Sequence, residues 1–489
     1  MFLSPERTIL SEKQDVKSSS LDDPTVHPIV VSPFQLTSYR PSEPAGAVIH
    51  APFITRAKLI WPTTSIQSVT NRYARALAIL NTRRFALTIA VSGAALVVAM
   101  SWLINHPTPW TFTSHYNYGF SDLHGRLVNL HQLEQTGNIY VPFGQFAFTY
   151  PPGAILFFWP ILWAPAQHLT LLWSAASLVA LAGALAAAIT YLFPRRLAPL
   201  AVTGISCWTA VLAAAFIVPV TECFTWGQTG TILLCFVILD LLTIHGPPKG
   251  VLVGVATAVK IYPGLFIVVW LLRREWRAAF TALATASSLT GLAWLLWPPS
   301  VSTFFSQVFL GGKDYARLAG GADALVSSSL TAFFQRAPFH IGLLSPKESL
   351  ALSAAVAVIA LIAAQRMWRQ NYELSALVVV LIASVICTPV TWDHYFAFAP
   401  LFFLMPFELG LKSPLASTAI VTGLVMMVPW FFFRQPLDHT WWTATYAFVA
   451  RGALLFATLA VIVATFFQKP SDRPLPRMAR LDESSLSRN

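Results

Sequence analysis

Residues Ser121 to Gly153 read SDLHGRLVNLHQLEQTGNIYVPFGQFAFTYPPG and lie between two long apolar runs. Leu123, Leu127 and Leu130 recur at i, i+4 and i+7, and Asp122, Arg126 and Asn129 recur at the same spacing on another face. A helix with this pattern has one apolar and one polar side, and Gly137-Asn138 supplies its stop. Lipid tails offer the polar side no partner, so such a helix lies along a membrane surface instead of crossing it. That holds a carboxylate, Asp122, at the mouth of a bundle. Tyr150-Pro151-Pro152 follows, and because proline is well tolerated only at a helix start it marks the entry into the next membrane segment.

The whole chain agrees with a membrane setting. Its 489 residues are 55% hydrophobic and only 11% charged, with a mean hydropathy of +0.61, whereas soluble domains carry about a quarter charged residues. The predicted class is an all-α polytopic membrane protein. The net charge of +11 does not point to nucleic acid, since Lys and Arg gather in the tails and in short connections beside apolar runs, as membrane orientation requires. Cys207, Cys223, Cys235 and Cys387 form no CxxC and no His-Cys cluster, so they read as buried free thiols and no metal site is expected.

Residues 1–83 are Ser- and Pro-rich with only short apolar patches and read as a mostly disordered cytoplasmic tail, not a cleavable signal peptide. Arg72, Arg75, Arg83 and Arg84 precede the first apolar run, Phe85 to Ile104. The positive-inside rule then puts the tail in the cytoplasm and the Asp122 loop outside. Further candidate spans are 151–166, 168–193, 199–219, 229–245, 250–272, 278–297, 349–366, 373–390, 394–410, 414–433 and 442–467, about twelve with the first. An even count brings a short tail, 468–489, back to the cytoplasm. Arg273 to Arg277, Arg366 to Arg369, Lys412 and Lys469 then fall inside, but Arg195-Arg196 and Lys249 fall on the wrong side. Making 151–166 a re-entrant hairpin corrects those two and displaces the rest, so twelve is retained. A second long connection, Pro298 to Glu348, faces the Asp122 loop from the outside, and the two form a roof over a cavity.

Several residues in this frame carry chemistry or have a plain structural explanation. Asp122 reads as a general base at the outer mouth or as a helix N-terminal carboxylate paired with Arg126. Thr225-Trp226-Gly227-Gln228 places an amide in a tight interhelical turn, which the twelve-span count puts on the inner face. Lys260 sits mid-run, followed by Pro263-Gly264. An ammonium at the bilayer centre costs roughly 2.5–3.5 kcal/mol, so it faces an anionic or carbonyl partner inside the bundle, unless the run is two shorter pieces and Lys260 snorkels. Thr391-Trp392-Asp393-His394-Tyr395 places a carboxylate and an imidazole in an outer gap; an interfacial aromatic belt accounts for Trp392 and Tyr395 but not for His394.

Together these stretches resemble glycosyltransferase family 87 of the GT-C superfamily. The resemblance rests on Asp122 in the first outer loop, Gly137-Asn138-Ile139-Tyr140, Tyr150-Pro151-Pro152 with Pro160, Gly227-Gln228, Lys260-Ile261-Tyr262-Pro263 and Trp392-Asp393-His394, over residues 85 to about 410. Two stretches depart from the family pattern: the loop helix begins SDLHGR, and Ser327-Ser328-Ser329-Leu330 replaces an Asn-Gln-Ser-Leu.

The resemblance implies a GT-C-type helical bundle over 84–467 in the inner (plasma) membrane. The implied reaction is transfer of a hexose, often mannose, from a polyprenyl phosphate to a hydroxyl of a lipid or glycan acceptor on the outer face, with inversion. Asp122 takes the place of the base; Lys260, His394 and Arg126 that of the donor-phosphate site; Tyr150, Gln228, Trp392 and Asp393 line the substrate. A leaving lipid monophosphate does not demand a divalent metal, and no cofactor is implied. A multi-pass transporter or lipid flippase is the competing class, and would show paired broken helices where the sequence shows a single interruption, at Lys260. A non-catalytic assembly protein is a third, in which Asp122 is replaceable.

Overall fold

The structure, a computed structural model, describes residues 76–105, 120–140, 147–194, 196–309, 327–335, 344–429 and 441–470. All of them lie in one compact unit, Thr64–Asn489. Most of the N-terminal tail, the residues around Ser114, the glycine-rich part of the second outer connection and the C-terminal tail lie outside the described residues.

The helices in chain order are α1 (Arg83–Asn105), α2 (Ser121–Thr136), α3 (Gly153–Phe158), α4 (Ala166–Leu192), α5 (Pro199–Phe216), α6 (Val218–Thr225), α7 (Gly230–Leu242), α8 (Val251–Val259) and α9 (Leu265–Leu272). They continue with α10 (Trp276–Leu296), α11 (Pro298–Thr303), α12 (Leu330–Gln335), α13 (Pro346–Arg369), α14 (Glu373–Ile386), α15 (Met405–Leu409), α16 (Pro414–Val425) and α17 (Trp441–Ala464). No strand occurs among the described residues, so the all-α membrane class holds. Among the described residues, five helices are long and apolar enough to cross a bilayer, α6 and α7, bent by 119° at the Gln228 turn, make a sixth span if joined, and six more apolar helices are shorter.

The two ends of the bundle separate cleanly. At one end Asn81 donates to the Arg196 carbonyl and accepts from Ala198 N–H, each at 2.6 Å. Lys249 pairs with Glu275 at 2.6 Å and Arg273 with Glu373 at 2.9 Å. The Tyr372 hydroxyl reaches the Lys469 carbonyl at 3.2 Å. Buried Glu408 accepts from the N–H groups of Leu374 and Ser375, capping α14 from another element, and also accepts from Tyr191 near the end of α4. Arg196, Lys249, Arg273 and Lys469 thus meet at this end.

This arrangement corrects the count of about twelve spans. Gly93 packs on Cys207 and Gly204 on Ile89, so α1 and α5 run parallel; Gly250 packs on Ala278 and Gly254 on Ala282, so α8 and α10 run parallel too. Parallel neighbours require that 151–166 and 250–272 each return to the end they came from. α3 and the 3-10 turn Trp159–Trp163 leave the Asp122 end and rejoin it before α4, whose 27 residues span ~40 Å at 1.5 Å each. From the basic end, α8, the 3-10 turn Tyr262–Gly264 and α9 form a hairpin whose feet are tied by Lys249 and Glu275. Removing two full crossings keeps an even number and brings Arg196 and Lys249 to the end shared with Arg273. Counting spans by hydropathy misplaced these two because an apolar run long enough to cross was taken to do so.

Two broken segments therefore enter from opposite ends, where the sequence showed a single interruption. They meet where Gly153 lies against Ala258, at a distance that leaves no room for a side chain on Gly153. Each carries one polar residue, Tyr150 or Lys260, to the meeting point. A third short run, Asp393–Phe396 and Ala399–Phe403 followed by α15, is mostly 3-10 helix. Its ~2.0 Å rise per residue lets so short a run reach from the Asp122 end to Glu408.

Candidate active site

The sequence that makes α2 amphipathic also fixes how it docks. Leu123, Leu130 and Leu133 are buried, but so are Arg126, Asn129 and Gln132. The polar face expected along the membrane surface is turned into the protein, and the outward stripe is His124, Val128 and His131. α2 stops at Gly137, whose φ of 70° is left-handed and whose N–H returns to the Leu133 carbonyl. Beyond it, Ile139 N–H donates to Ser300 Oγ at 3.0 Å and Asn138 to Thr303 Oγ1 at 2.9 Å, so the connection that carries α2 is fastened to α11.

The Gln228 turn is docked on the start of α2. Phe120 N–H donates to the Thr225 carbonyl at 3.1 Å, and Arg126 Nη1 to the Gly227 carbonyl at 2.7 Å. Gly227 has a φ of 67°, and a Cβ there would lie 2.6 Å from Leu123 Cβ. Only glycine lets the turn bend and approach α2 this closely. The expectation that this turn lies on the face opposite Asp122 is overturned by these bonds.

Asp122, Arg126, Tyr150, Gln228 and Lys260, far apart in sequence, form one network. Arg126 Nη2 donates to the Tyr150 hydroxyl at 2.6 Å and to Gln228 Oε1 at 3.2 Å, and lies 3.8 Å from Asp122 Oδ2. Tyr150 donates in turn to Gln228 Oε1 at 3.1 Å, and Gln228 Nε2 donates to Asp122 Oδ2. Lys260 Nζ reaches Gln228 Oε1 at 3.4 Å and lies 4.2 Å from the Tyr395 ring centroid. Tyr140 holds the Tyr150 carbonyl at 2.7 Å, and the Arg126 guanidinium lies over the rings of Tyr150 and Phe158 at 4.9 and 5.1 Å.

Burial divides the roles. Arg126, Gln228 and Lys260 are 4%, 3% and 7% exposed, whereas the Asp122 side chain is 32% exposed. Asp122 lies in the first turn of α2, 3.8 Å from Arg126, as the helix N-terminal reading expects, and its side chain is also partly exposed. Burial pushes its carboxyl above the usual carboxylate range, and the charges of Arg126 and Lys260 and the Gln228 amide oppose that shift without cancelling it.

Lys260 likewise combines two alternatives. The run is two pieces, with Lys260 in extended conformation after α8, yet the side chain is buried in the bundle and does not snorkel. Its single hydrogen bond among the described residues is the long one to Gln228, so an ammonium with three donors has capacity left. Arg126 has less to give, since both its terminal nitrogens are engaged and Nε alone lacks a partner among the described residues.

The Trp392-Asp393-His394 turn borders this network. The His394 ring is buried, stacked parallel to Trp392 at 6.5 Å and edge-on to Tyr395 at 5.0 Å, and Tyr395 is the ring under Lys260. Asp393 accepts from Ser328 Oγ at 2.9 Å. Ser327 Oγ accepts from Thr391 N–H at 3.0 Å, and Ser329 donates to the Pro389 carbonyl at 2.9 Å. The triple serine that departs from the family pattern therefore clasps the turn that carries His394. Sequence reasoning missed Tyr395 and Ser328. The signal for Tyr395 was its place beside His394, which an aromatic belt explained too readily.

Several known proteins are similar to this chain in sequence. The family model of glycosyltransferase family 87 matches residues 148–389, which contain Tyr150, Gln228 and Lys260. A polyprenol-phosphate-mannose-dependent alpha-(1-2)-phosphatidylinositol mannoside mannosyltransferase of Mycobacterium tuberculosis is 28% identical over 335 residues, 65% of this chain and 75% of the relative. A phosphatidylinositol pentamannoside mannosyltransferase of the same species is 28% identical over 375 residues, 73% of this chain and 84% of the relative. A phosphatidylinositol mannoside mannosyltransferase of Mycolicibacterium smegmatis is 29% identical over 342 residues, 65% of this chain and 74% of the relative. No solved structure matches the chain. Tyr150, Gln228 and Lys260, which meet in this network, lie in motifs the sequence shares with one family, and over residues 148–389, just under half of the chain, that family is glycosyltransferase family 87.

Proposed function

We propose that this membrane glycosyltransferase transfers mannose from a polyprenyl phosphate to a hydroxyl of a lipid-linked glycan acceptor, with inversion, on the face of the cytoplasmic membrane opposite its basic end. One observation carries the reading: two buried cations, Arg126 and Lys260, converge on a neutral amide beside a single, partly open carboxylate, Asp122. Such a site has an excess positive charge for an anionic leaving group and one base for an incoming hydroxyl. The donor class comes from the relatives' names, and the orientation from the gathering of basic connections at one end.

In the reaction, the acceptor oxygen attacks the anomeric carbon as its proton passes to Asp122. The bond from that carbon to the phosphate oxygen breaks, and the polyprenyl phosphate leaves with the electron pair. Lys260 has spare donors for the leaving oxygen, where charge develops most, so it lowers the barrier beyond what it adds to binding. Arg126 holds the Gln228 turn, Tyr150 and Asp122 in register and supplies field more than direct contact. His394, stacked on Trp392 and edge-on to Tyr395, completes the wall beside Lys260, and Asp393 anchors that wall to Ser328. Inversion follows from a single displacement, for which one carboxylate at the reacting carbon suffices.

Purified protein in detergent with polyprenyl phosphate mannose and a phosphatidylinositol mannoside acceptor should release one polyprenyl phosphate per sugar transferred, with an inverted anomeric centre. Movement of the donor across vesicles without any sugar transfer would favour the flippase class instead.

A further inference from the structure

Gln228 was expected to touch substrate, but its side chain is spent on protein partners. Its oxygen accepts from Arg126 at 3.2 Å, Tyr150 at 3.1 Å and Lys260 at 3.4 Å, and its amide N–H donates to Asp122 Oδ2. It is 3% exposed. The amide is the one piece that touches all four other members of the network. Arg126 also stands on the Oδ2 side of the carboxylate, at 3.8 Å. Asp122 Oδ1 carries no hydrogen bond among the described residues, while the side chain is a third exposed. The carboxylate is thus pinned by one oxygen and open at the other.

The geometry points to Gln228 as a positioning residue that holds Asp122 Oδ2 with its N–H and leaves Oδ1 as the atom that takes the acceptor proton. This rests on Asp122 being the base. An amide suits the role because it presents a donor to the carboxylate and an acceptor to the cations in one planar group; neither a carboxylate nor an ammonium does both. Without that donor, Asp122 can turn toward Arg126 or Lys260, 3.8 Å away in the first case. It would then become a countercharge instead of a base. The N–H also favours the ionised carboxylate, opposing its burial.

The test is Gln228→Glu, which keeps an acceptor for Arg126, Tyr150 and Lys260 but deletes the N–H and places a second carboxylate beside Asp122. The acid limb of kcat/KM should move to higher pH by about one unit or more. At neutral pH kcat should fall roughly 10- to 100-fold, the span of a lost charge-assisted hydrogen bond. The KM for polyprenyl phosphate mannose should stay within about threefold of the parent, since the cations keep their acceptor. An unmoved acid limb with parental kcat overturns the inference, because a mere scaffold for the cations would give that result.

A double-mutant cycle guards against a variant that folds poorly. Gln228→Met should cost little once Asp122→Asn has already removed the base, whereas independent roles would multiply the two losses. Multiplied losses overturn the inference and leave the base assignment standing. Parental activity in Asp122→Asn alone overturns the base assignment itself.

Discussion

Lys249 and Glu275 close an ion pair of 2.6 Å between the two feet of the hairpin that carries Lys260. The pair fixes a point of topology, because it brings both ends of an apolar run of spanning length to one side. Single cysteines in a cysteine-free background report it directly. His131→Cys, on the exposed stripe of α2, should react with an impermeant thiol reagent on intact cells. Arg196→Cys and His245→Cys, at exposed positions of the basic end, should react only after the membrane is opened. Reaction of these two on intact cells would restore twelve full crossings and separate the Gln228 turn from Asp122.

The docking of that turn depends on the one residue type that fits it. Gly227→Ala adds a Cβ 2.6 Å from Leu123 Cβ at a φ of 67°. The left-handed conformation alone costs about 1–2 kcal/mol for a residue with a Cβ, and the contact adds to it. A lowered thermal midpoint in detergent is expected together with a loss of transfer greater than the loss of folded protein, because the turn carries Gln228. Unchanged stability and activity would mean that the turn is not seated against α2.

The raised carboxyl of Asp122 has a definite consequence for pH dependence. The base must be unprotonated, so activity should rise with pH through the carboxyl's titration, with a midpoint above the ordinary carboxylate value. The sign follows from burial exceeding the help from Arg126 and Lys260. A kcat/KM profile of the parent that is flat across the carboxylate range and declines only below it would contradict this environment.

Much of this site was legible in the sequence because its chemistry is unusual for where it sits. An ammonium in an apolar run, an amide in a turn between spans and a carboxylate at the start of a loop helix each stand out against lipid-facing composition, and the structure joins all three. The topology around them was not legible. Hydropathy records that 151–166 and 250–272 are apolar, but not that small residues such as Gly153, Gly250 and Gly254 let them fold back against neighbours in the bundle. The inward turn of α2's polar face was hidden for a related reason. Periodicity shows that a helix has two faces but not which is covered, and Arg126 and Asn129 are buried in the protein where the pattern suggested water. Buried Glu408 and Asp240, which cap α14 and α8 from other elements, gave no signal before the contacts were known.

Lys260 separates binding from turnover. Lys260→Met keeps length and apolar packing while removing the charge, so donor KM should rise and kcat should fall, each by roughly tenfold or more if the leaving oxygen is stabilised as charge builds. A rise in KM at constant kcat would confine Lys260 to ground-state binding. Neither change would mean that other groups hold the phosphate, with Arg126 Nε the nearest candidate.

The central claim is that Asp122 accepts the proton of the incoming hydroxyl in a sugar transfer from a polyprenyl phosphate. Asp122→Asn preserves size and the neighbouring hydrogen bonds but removes the basic carboxylate. Transfer of labelled mannose from polyprenyl phosphate mannose to acceptor, measured at saturating donor in purified protein of parental thermal midpoint, should fall by ~10²-fold or more, with donor binding retained. Transfer by Asp122→Asn within a few-fold of the parent would contradict the account.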